Sequence, residues 1–352
     1  MNRLIKRCSF VLCTLFFSIT VASAQEQHPG FNYSRHYNRG VELYNKFLYQ
    51  SAEVEFDKAL SLISEDMVIR RAEAEGYKVL IAIELNKPNK EAVVKDYEAN
   101  YPYSNQLGSI YLSFATSFFN EEDFGRALEL LNKIDIKNLN KGQVAEFNFR
   151  LGYSHMRVGN LIKALSIFDA LYSGPYTTYS NPACYYSAYI HYMLKEFKEA
   201  KAGFAKISGD SRFSLLARFY TLESDFMLKD YDSVIKNGEL LYELLSEEFR
   251  TKTARMLSEA YYDKGETQKA QSYFDKYSQN SASLSRNDLY YQGMISYKLK
   301  SYKLAVESFG KIIATSDSLT QNAKYHMGFC YAEMKNKQQA LTFFKEASEM
   351  NF

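Results

Sequence analysis

The chain has 352 residues, a formal net charge of +2 and 46% hydrophobic residues, with only five prolines and sixteen glycines. A charge so close to neutral gives no basic footprint for DNA or RNA, whose binding depends on clustered Lys and Arg. The length exceeds one compact core and predicts several domains or a stacked array, while the low proline and glycine content favours helices over a β-rich fold.

The N-terminus has the three-part order of a secretory signal peptide. Basic residues Arg3, Lys6 and Arg7 come first, an apolar run follows, and three small residues end at Ala24. The apolar run, about 14 residues long, is short for a membrane-spanning helix, which needs about 20, so an uncleaved anchor is the weaker alternative. We therefore predict a cleaved signal peptide at 1–24, which removes three positive charges from the formal +2 and leaves −1.

A small residue recurs along the rest of the chain. In the unit around Ala164, Leu161 stands three residues before the alanine and Phe168 four residues after it. Self-similarity at a period of 34 to 40 residues indicates a repeat array. The aligned central residues are Ala52, Ala92, Ala127, Ala164, Ala200, Val234, Ala270, Ala305 and Ala340.

After a short linker at 25–32, the array is predicted to fill residues 33–352 with nine units. Apolar residues at helical spacing before and after each turn predict two helices per unit. The predicted repeats are roughly 33–66, 67–105, 106–140, 143–177, 181–210, 211–246, 249–282, 286–318 and 321–352.

A second small residue stands twelve positions before the central one in the clearest units. A side chain larger than methyl there would push the two helices apart, so both small positions are predicted to be packing devices. The predicted packing residues are Gly40, Gly152, Ala188, Gly293 and Gly328 in first helices, and Ala52, Ala164, Ala200, Ala270, Ala305 and Ala340 in second helices.

These residues resemble the tetratricopeptide repeat pattern. The pattern is matched best by Gly40, Leu43, Tyr44, Tyr49, Ala52, Phe56 and Ala59, and again by Gly328, Tyr331, Ala340, Phe344 and Ala347. The resemblance implies an all-α, right-handed superhelical solenoid of about nine helix-turn-helix repeats. Units around Ala92 and Val234 lack the early small residue, so their register is open by a few residues.

A narrower resemblance concerns the cellular location of the protein. Blocks such as YYSAYIHYMLKEFKEAKAGF are similar to those of long secreted repeat proteins of Gram-negative bacteria, especially Bacteroidetes. The segment ANYPYSNQ at 99–106 resembles a helix-ending turn in repeats of outer-membrane assembly lipoproteins. The resemblance implies a location in the periplasm or at the periplasmic face of the outer membrane, with peripheral membrane association open.

The family resemblance also implies a binding face. Its concave groove is reached from first-helix positions five, nine and twelve, and tyrosine suits recognition because its ring gives contact area while its hydroxyl stays hydrogen-bonded. We therefore expect an exported, non-catalytic scaffold that binds a peptide or protein; packing of the rings between neighbouring first helices is the alternative. The predicted groove residues are Tyr153, Met156, Tyr185, Tyr189, Tyr192, Phe219, Tyr290, Tyr297 and Phe329.

The same face carries the carboxylates Glu223, Glu259 and Asp263. A carboxylate pair is what glycosidic chemistry requires, so an envelope glycan-binding protein or an α/α glycan-active enzyme is the alternative function. The five histidines are too scattered to indicate a metal site. We predict no catalytic residue, no metal and no cofactor, and two buried free thiols at Cys184 and Cys330.

The last predicted helix leaves apolar residues without a following repeat. An array usually ends in a unit with a polar outer face, but Leu341, Phe344 and Met350 have no later hairpin to cover them. A truncated chain, a homodimer and a partner docked on this last repeat are three open explanations.

Overall fold

The computed structural model describes residues 29–207 and 211–352. The predicted signal peptide at 1–24 lies outside the described residues and stays a prediction. Within them every regular element is helical, with eighteen α-helices and a short 3₁₀ turn at Ile136–Asn138. The prediction of an all-α fold is confirmed.

The α-helices form nine consecutive hairpins, numbered here one to nine. The hairpins are α1 (Pro29–Asn45) with α2 (Tyr49–Leu62), α3 (Val68–Glu84) with α4 (Lys90–Asn100), α5 (Leu107–Asn120) with α6 (Phe124–Leu131), α7 (Lys141–Arg157) with α8 (Leu161–Ser173), α9 (Ser180–Met193) with α10 (Phe197–Phe204), α11 (Ser211–Met227) with α12 (Tyr231–Tyr242), α13 (Glu247–Asp263) with α14 (Thr267–Asn280), α15 (Arg286–Lys298) with α16 (Tyr302–Gly310), and α17 (Ser318–Glu333) with α18 (Lys337–Ser348).

The chain divides into two compact units. Unit 1 ends at Ile167, and unit 2 runs from Phe168 to Phe352. Within each unit, a second helix contacts both its own first helix and the first helix of the next hairpin, as α2 does with α1 and α3 and as α10 does with α9 and α11. Each hairpin therefore buries its apolar side against its neighbours, as in a repeat array.

A residue with positive φ stands at the turn of each hairpin. The left-handed conformation ends the first helix, and glycine adopts it without the steric cost that other L-residues bear. Glycine occupies only two of these turns, at Gly159 with φ 87° and Gly265 with φ 80°. The other turn residues are Phe47, Asn86, Glu122, Lys195, Lys229, Lys300 and Lys335.

Hairpin two departs from the predicted register. Ala92 is exposed, while Val94 and Tyr97 on the same helix are each 3% exposed and form the buried side of α4. The turn between α3 and α4 is longer than the others, since α4 begins only at Lys90 after the positive-φ residue Asn86. Ala92 as the central residue is therefore corrected: the longer turn moves the buried positions further along the chain.

The structure places all of the predicted packing residues in buried positions. In hairpin one a Cβ on Gly40 would lie 2.8 Å from Cε1 of Phe56, and in hairpin nine a Cβ on Gly328 would lie 2.7 Å from Phe344. The first-helix glycine therefore packs against the aromatic ring that follows the central alanine, and not only against the alanine itself. The small residue makes room for the ring.

Hairpin six reverses this arrangement. Its first helix carries the large Leu222, and the second-helix position that holds Phe56 in hairpin one holds Gly238. A Cβ on Gly238 would lie 3.5 Å from Leu222 Cδ1 and 2.9 Å from Leu257 Cδ2. Gly238 thus makes room for Leu257 of the next first helix, α13, and lies in ordinary van der Waals contact with Leu222.

Candidate partner-binding surface

The first helices of unit 2 contact one another along the array. Helix α9 contacts α11, α11 contacts α13, and α15 contacts α17. Aromatic side chains fill the space between α9 and α11: the Tyr220 ring centroid lies 5.0 Å from that of Tyr189 and 5.1 Å from that of Tyr192. Such tilted and edge-to-face ring pairs stabilise packing beyond the area that they bury.

Tyr220 is the centre of this cluster, and sequence reasoning did not select it. Its ring stacks on Phe204 of the preceding second helix at 5.9 Å, and burial raises the pKa of its hydroxyl. The preceding repeat has the same arrangement, since Tyr186 stacks on Phe168 at 5.7 Å. The recurrence of a tyrosine at this position of the first helix is the sequence feature that could have identified Tyr220. A phenylalanine that ends the core of one hairpin therefore packs on a tyrosine of the next.

Three predicted groove residues are buried in the hydrophobic core. Met156 is 8% exposed, Tyr185 is 6% exposed and Phe219 is 1% exposed. Tyr185 packs against Phe204 and Phe213, with ring centroids 5.7 and 5.0 Å apart. These three side chains pack between helices, which was the alternative to a role in binding. They present little surface to a partner.

The other predicted groove residues are half-buried. In unit 1, Tyr153 packs against Phe119 and Phe124, with centroid distances of 5.1 and 5.7 Å. In unit 2 the half-buried rings reach the surface at first-helix positions five, nine or twelve, and we call them the aromatic face. The aromatic face consists of Tyr189, Tyr192, Tyr290, Tyr297 and Phe329.

A carboxylate lies beside the aromatic face. The Tyr192 hydroxyl donates a hydrogen bond of 3.1 Å to Glu223 Oε2. Burial raises the pKa of Glu223, and the Tyr192 hydrogen bond and the positive charge of Lys252 oppose that rise. The Lys252 ammonium itself is bound to Glu248 Oε1 at 2.8 Å. Glu223 is thus half-buried, with a tyrosine hydroxyl as its hydrogen-bond partner.

The other two carboxylates that the sequence singled out are in different surroundings. Glu259 is half-buried and accepts Arg255 Nη2 at 3.0 Å, while Asp263 is exposed. Burial raises the pKa of Glu259 and Arg255 opposes it. Arg255 Nε also donates to Asp288 Oδ1 at 2.9 Å, and Tyr277 donates to Asp288 Oδ2 at 2.9 Å. Arg255 therefore holds two carboxylates in a structural ion-pair network.

Unit 1 presents a polar cavity of about 400 Å³ between its first helices. Ser113 Oγ donates to Glu84 Oε1 at 2.8 Å, and Gln143 Nε2 donates to Ser109 Oγ at 2.8 Å. Hydroxyl, amide and carboxylate groups share this wall with Leu80, Leu112 and the rings of Tyr44 and Tyr77. The lining includes Tyr44, Asn45, Tyr77, Glu84, Ser109, Ser113, Thr116, Asn140, Gln143 and Glu146.

The described residues contain no group of three His, Cys, Asp or Glu side chains placed to hold a metal ion. His36 Nδ1 lies 2.6 Å from Glu55 Oε2, and His191 Nδ1 lies 2.6 Å from Glu196 Oε2. Both Cys184 and Cys330 are buried free thiols, as predicted. In the same part of the chain, no helix has the length and apolar character to cross a membrane.

The last hairpin keeps an open side. Leu341 is 72% exposed, whereas the Phe344 ring packs against Phe329 at a centroid distance of 5.1 Å. Part of the apolar end is thus covered within the hairpin. The three explanations for the rest stay predictions.

Comparison with known proteins supports the predicted repeat type. Residues 322–349, in hairpin nine, match the family model described as "Tetratricopeptide repeat". No curated protein matches the chain. The family match confirms the predicted tetratricopeptide repeat in hairpin nine.

Three of the solved structures that are similar to this chain are as follows. A tetratricopeptide repeat protein from Parabacteroides merdae is 15% identical and covers 85% of this chain and 98% of its own, with a TM-score of 0.38. The apo form of RapI is 13% identical, covers 90% and 97%, and has a TM-score of 0.48. The apo quorum sensor NprR from B. thuringiensis is 12% identical, covers 80% and 98%, and has a TM-score of 0.39. Identities and TM-scores this low carry no functional argument.

Proposed function

We propose that this array of helical hairpins, whose last hairpin is a tetratricopeptide repeat, is a non-catalytic scaffold that binds a peptide or protein partner on the aromatic face of unit 2. The observation that supports the proposal is the recurrence of half-buried rings at equivalent first-helix positions, as at Tyr189, Tyr192 and Tyr297. Rigid aromatic side chains supply large contact area at low entropic cost, and a helix or extended segment fits a groove between helices.

The surroundings of the rings favour a polypeptide over a glycan. Sugars stack on the open flat face of an aromatic ring. Tyr189 and Tyr192 instead stack on each other at 6.1 Å, and Tyr220 meets Tyr189 edge-on at an interplanar angle of 65°. Glu259, one of the carboxylates considered for glycosidic chemistry, is engaged by Arg255.

The proposal includes export to the periplasm or to the periplasmic face of the outer membrane. Its support is the order of basic, apolar and small residues in the first 24 positions. Expression of the full chain in a Gram-negative host, followed by fractionation and N-terminal sequencing, tests it. We expect a periplasmic product that begins at Gln25; an intact N-terminus in the cytoplasm would refute export.

The binding test removes two half-buried rings of the aromatic face and keeps the fully buried rings in place. In the double variant Tyr189→Ser, Tyr192→Ser, a partner captured by crosslinking in envelope extracts should be lost while the helical circular dichroism signal is kept. A change that included Tyr185 would mix binding with folding, since that ring is buried.

A matched control removes two tyrosines elsewhere. Tyr103 and Tyr176 are 96% and 79% exposed and lie outside the aromatic face. The variant Tyr103→Ser, Tyr176→Ser should retain the partner. Retention by the aromatic-face variant, or equal loss from both variants, would show that the partner does not bind there.

A further inference from the structure

Glu223 differs from every other buried or half-buried carboxylate in the described part of unit 2. Each of the others has a cationic side chain within 4.0 Å, whereas Glu223 has the Tyr192 hydroxyl. The partnered carboxylates are Asp225 and Asp230 with Lys201, Glu259 and Asp288 with Arg255, Asp317 with Arg286, and Glu346 with Lys324. The fold thus balances its desolvated carboxylates with cations, except at the aromatic face.

Asp225, on the same helix as Glu223, is a buried carboxylate that has a cationic partner. It lies two residues beyond Glu223 on α11, so that its side chain points to nearly the opposite side of the helix. The Lys201 ammonium of α10 reaches Asp225 Oδ1 at 2.5 Å, although Asp225 itself has no exposed surface. The side of α11 that faces the second helices is therefore neutralised from within the protein, and the side that faces a partner is not.

Lys252, whose positive charge acts on Glu223, does not neutralise it by direct contact. Lys252 of α13 acts on Glu223 at longer range, but its ammonium contacts Glu248 at 2.8 Å, and both of those side chains are exposed. The rings near Glu223 complete a site for a cation. Tyr192 bonds the carboxylate, and Tyr189 and Tyr220 pack against Tyr192. A carboxylate beside aromatic rings attracts a cation by direct charge and by the ring quadrupole.

We propose that Glu223, held by Tyr192, accepts a lysine or arginine side chain of the polypeptide bound on the aromatic face. This inference rests on the proposed function and specifies its ligand: a segment with one basic residue among apolar ones. A basic side chain supplies the cation that the neighbouring carboxylates receive from Lys201 and Arg255. It also keeps the burial of Glu223 from becoming more costly when the partner excludes water, because an unpaired buried charge is strongly destabilising.

A selection from a displayed library of random dodecapeptides on the mature protein tests the proposal. We expect binders that share one fixed Lys or Arg, flanked by apolar residues. Replacement of that residue by norleucine in a selected peptide should weaken binding by roughly 30-fold or more, the effect of truncating one partner of a buried charge pair. The Glu223→Gln variant should show no such preference, and Glu223→Lys should select Asp or Glu at the same position.

Control variants and alternative outcomes separate this inference from the proposed function. Glu307→Gln, which changes an exposed glutamate on α16, should select the same basic motif as the wild type. Binders without a fixed basic residue, or the same motif from Glu223→Gln, would overturn the inference and leave the scaffold proposal standing. No enriched peptide at all would overturn both. Pentane-1,5-diamine that displaces no peptide but binds in a Glu223-dependent way would point to a small free amine and overturn the polypeptide occupant.

Discussion

The first helices α5 of unit 1 and α9 of unit 2 differ in surface chemistry, although both belong to the same kind of hairpin. In α5 of unit 1 the exposed side carries Ser109, Ser113 and Thr116, which line a polar cavity. In α9 of unit 2 the residue equivalent to Thr116 is Tyr189, whereas the residue equivalent to Tyr192 is aromatic in α5 as well, at Phe119. The hairpin itself depends on the buried small and large residues at the helix crossing, so the first-helix surface is free to vary. Binding chemistry is thus set on the array independently of the fold.

The ring cluster between α9 and α11 contains both buried and half-buried side chains, so substitutions there separate core from surface most clearly. Tyr185→Ala and Phe219→Ala remove buried rings and should each lower the free energy of unfolding by about 3–5 kcal/mol, because a cavity remains. Tyr189→Ser, one turn away, should cost far less. Urea unfolding followed by circular dichroism measures the difference; equal costs for Tyr185→Ala and Tyr189→Ser would place both rings in the same environment.

Exchanging the large and the small residue at the helix crossing should have the next largest effect on the free energy of unfolding. Gly40→Leu in unit 1 drives a side chain into Phe56 and should destabilise by about 1–3 kcal/mol through overpacking. The double variant Gly40→Leu, Phe56→Gly copies the Leu222 and Gly238 arrangement of unit 2 and should recover much of that loss. A double variant less stable than Gly40→Leu alone would show that the two units do not share this packing rule.

A surface transplant from unit 2 into unit 1 should have a smaller effect. Thr116 stands one residue after the small residue of its first helix, as Tyr189 does, and lines the polar cavity. Thr116→Tyr should change the free energy of unfolding by less than about 1 kcal/mol, since Thr116 lies on the cavity wall and its hydroxyl donates to the Leu112 carbonyl of its own helix. Thermal unfolding checks this; a loss comparable to that of Tyr185→Ala would mean that the polar wall of unit 1 is part of its core.

The smallest effect is electrostatic and depends on pH. Because burial raises the pKa of Glu223 in the folded state, its charged form is disfavoured there, and the penalty is complete above the folded pKa. Glu223→Gln should therefore be slightly more stable than the wild type at neutral pH. The difference should shrink as pH falls through the raised pKa. Parallel unfolding curves at neutral and acidic pH measure it, and a difference that grows on acidification would contradict the sign.

The sequence predicted the hairpins because the small and aromatic residues that set the helix crossing recur at a regular spacing. It misplaced the centre of hairpin two, since an alignment of small residues does not register the longer turn before Lys90. It identified the tyrosines of α9 but could not separate Tyr185 from Tyr189, because burial depends on whether α11 covers the ring. The isolation of Glu223 was equally hidden, for it follows from where Lys201 and Arg255 reach.

The left-handed residues at the hairpin turns affect how many destabilising substitutions the aromatic face can tolerate. Seven of them hold a side-chain-bearing residue in the left-handed conformation, such as Lys195 and Lys300, where glycine would avoid a cost of roughly 1–2 kcal/mol before its own entropy is counted. Glycine at these turns would thus add stability without changing any side chain of the aromatic face. A lineage or a designer that places glycine there gains tolerance for destabilising ring and charge substitutions on the first helices, and with it the freedom to redirect the scaffold to new ligands.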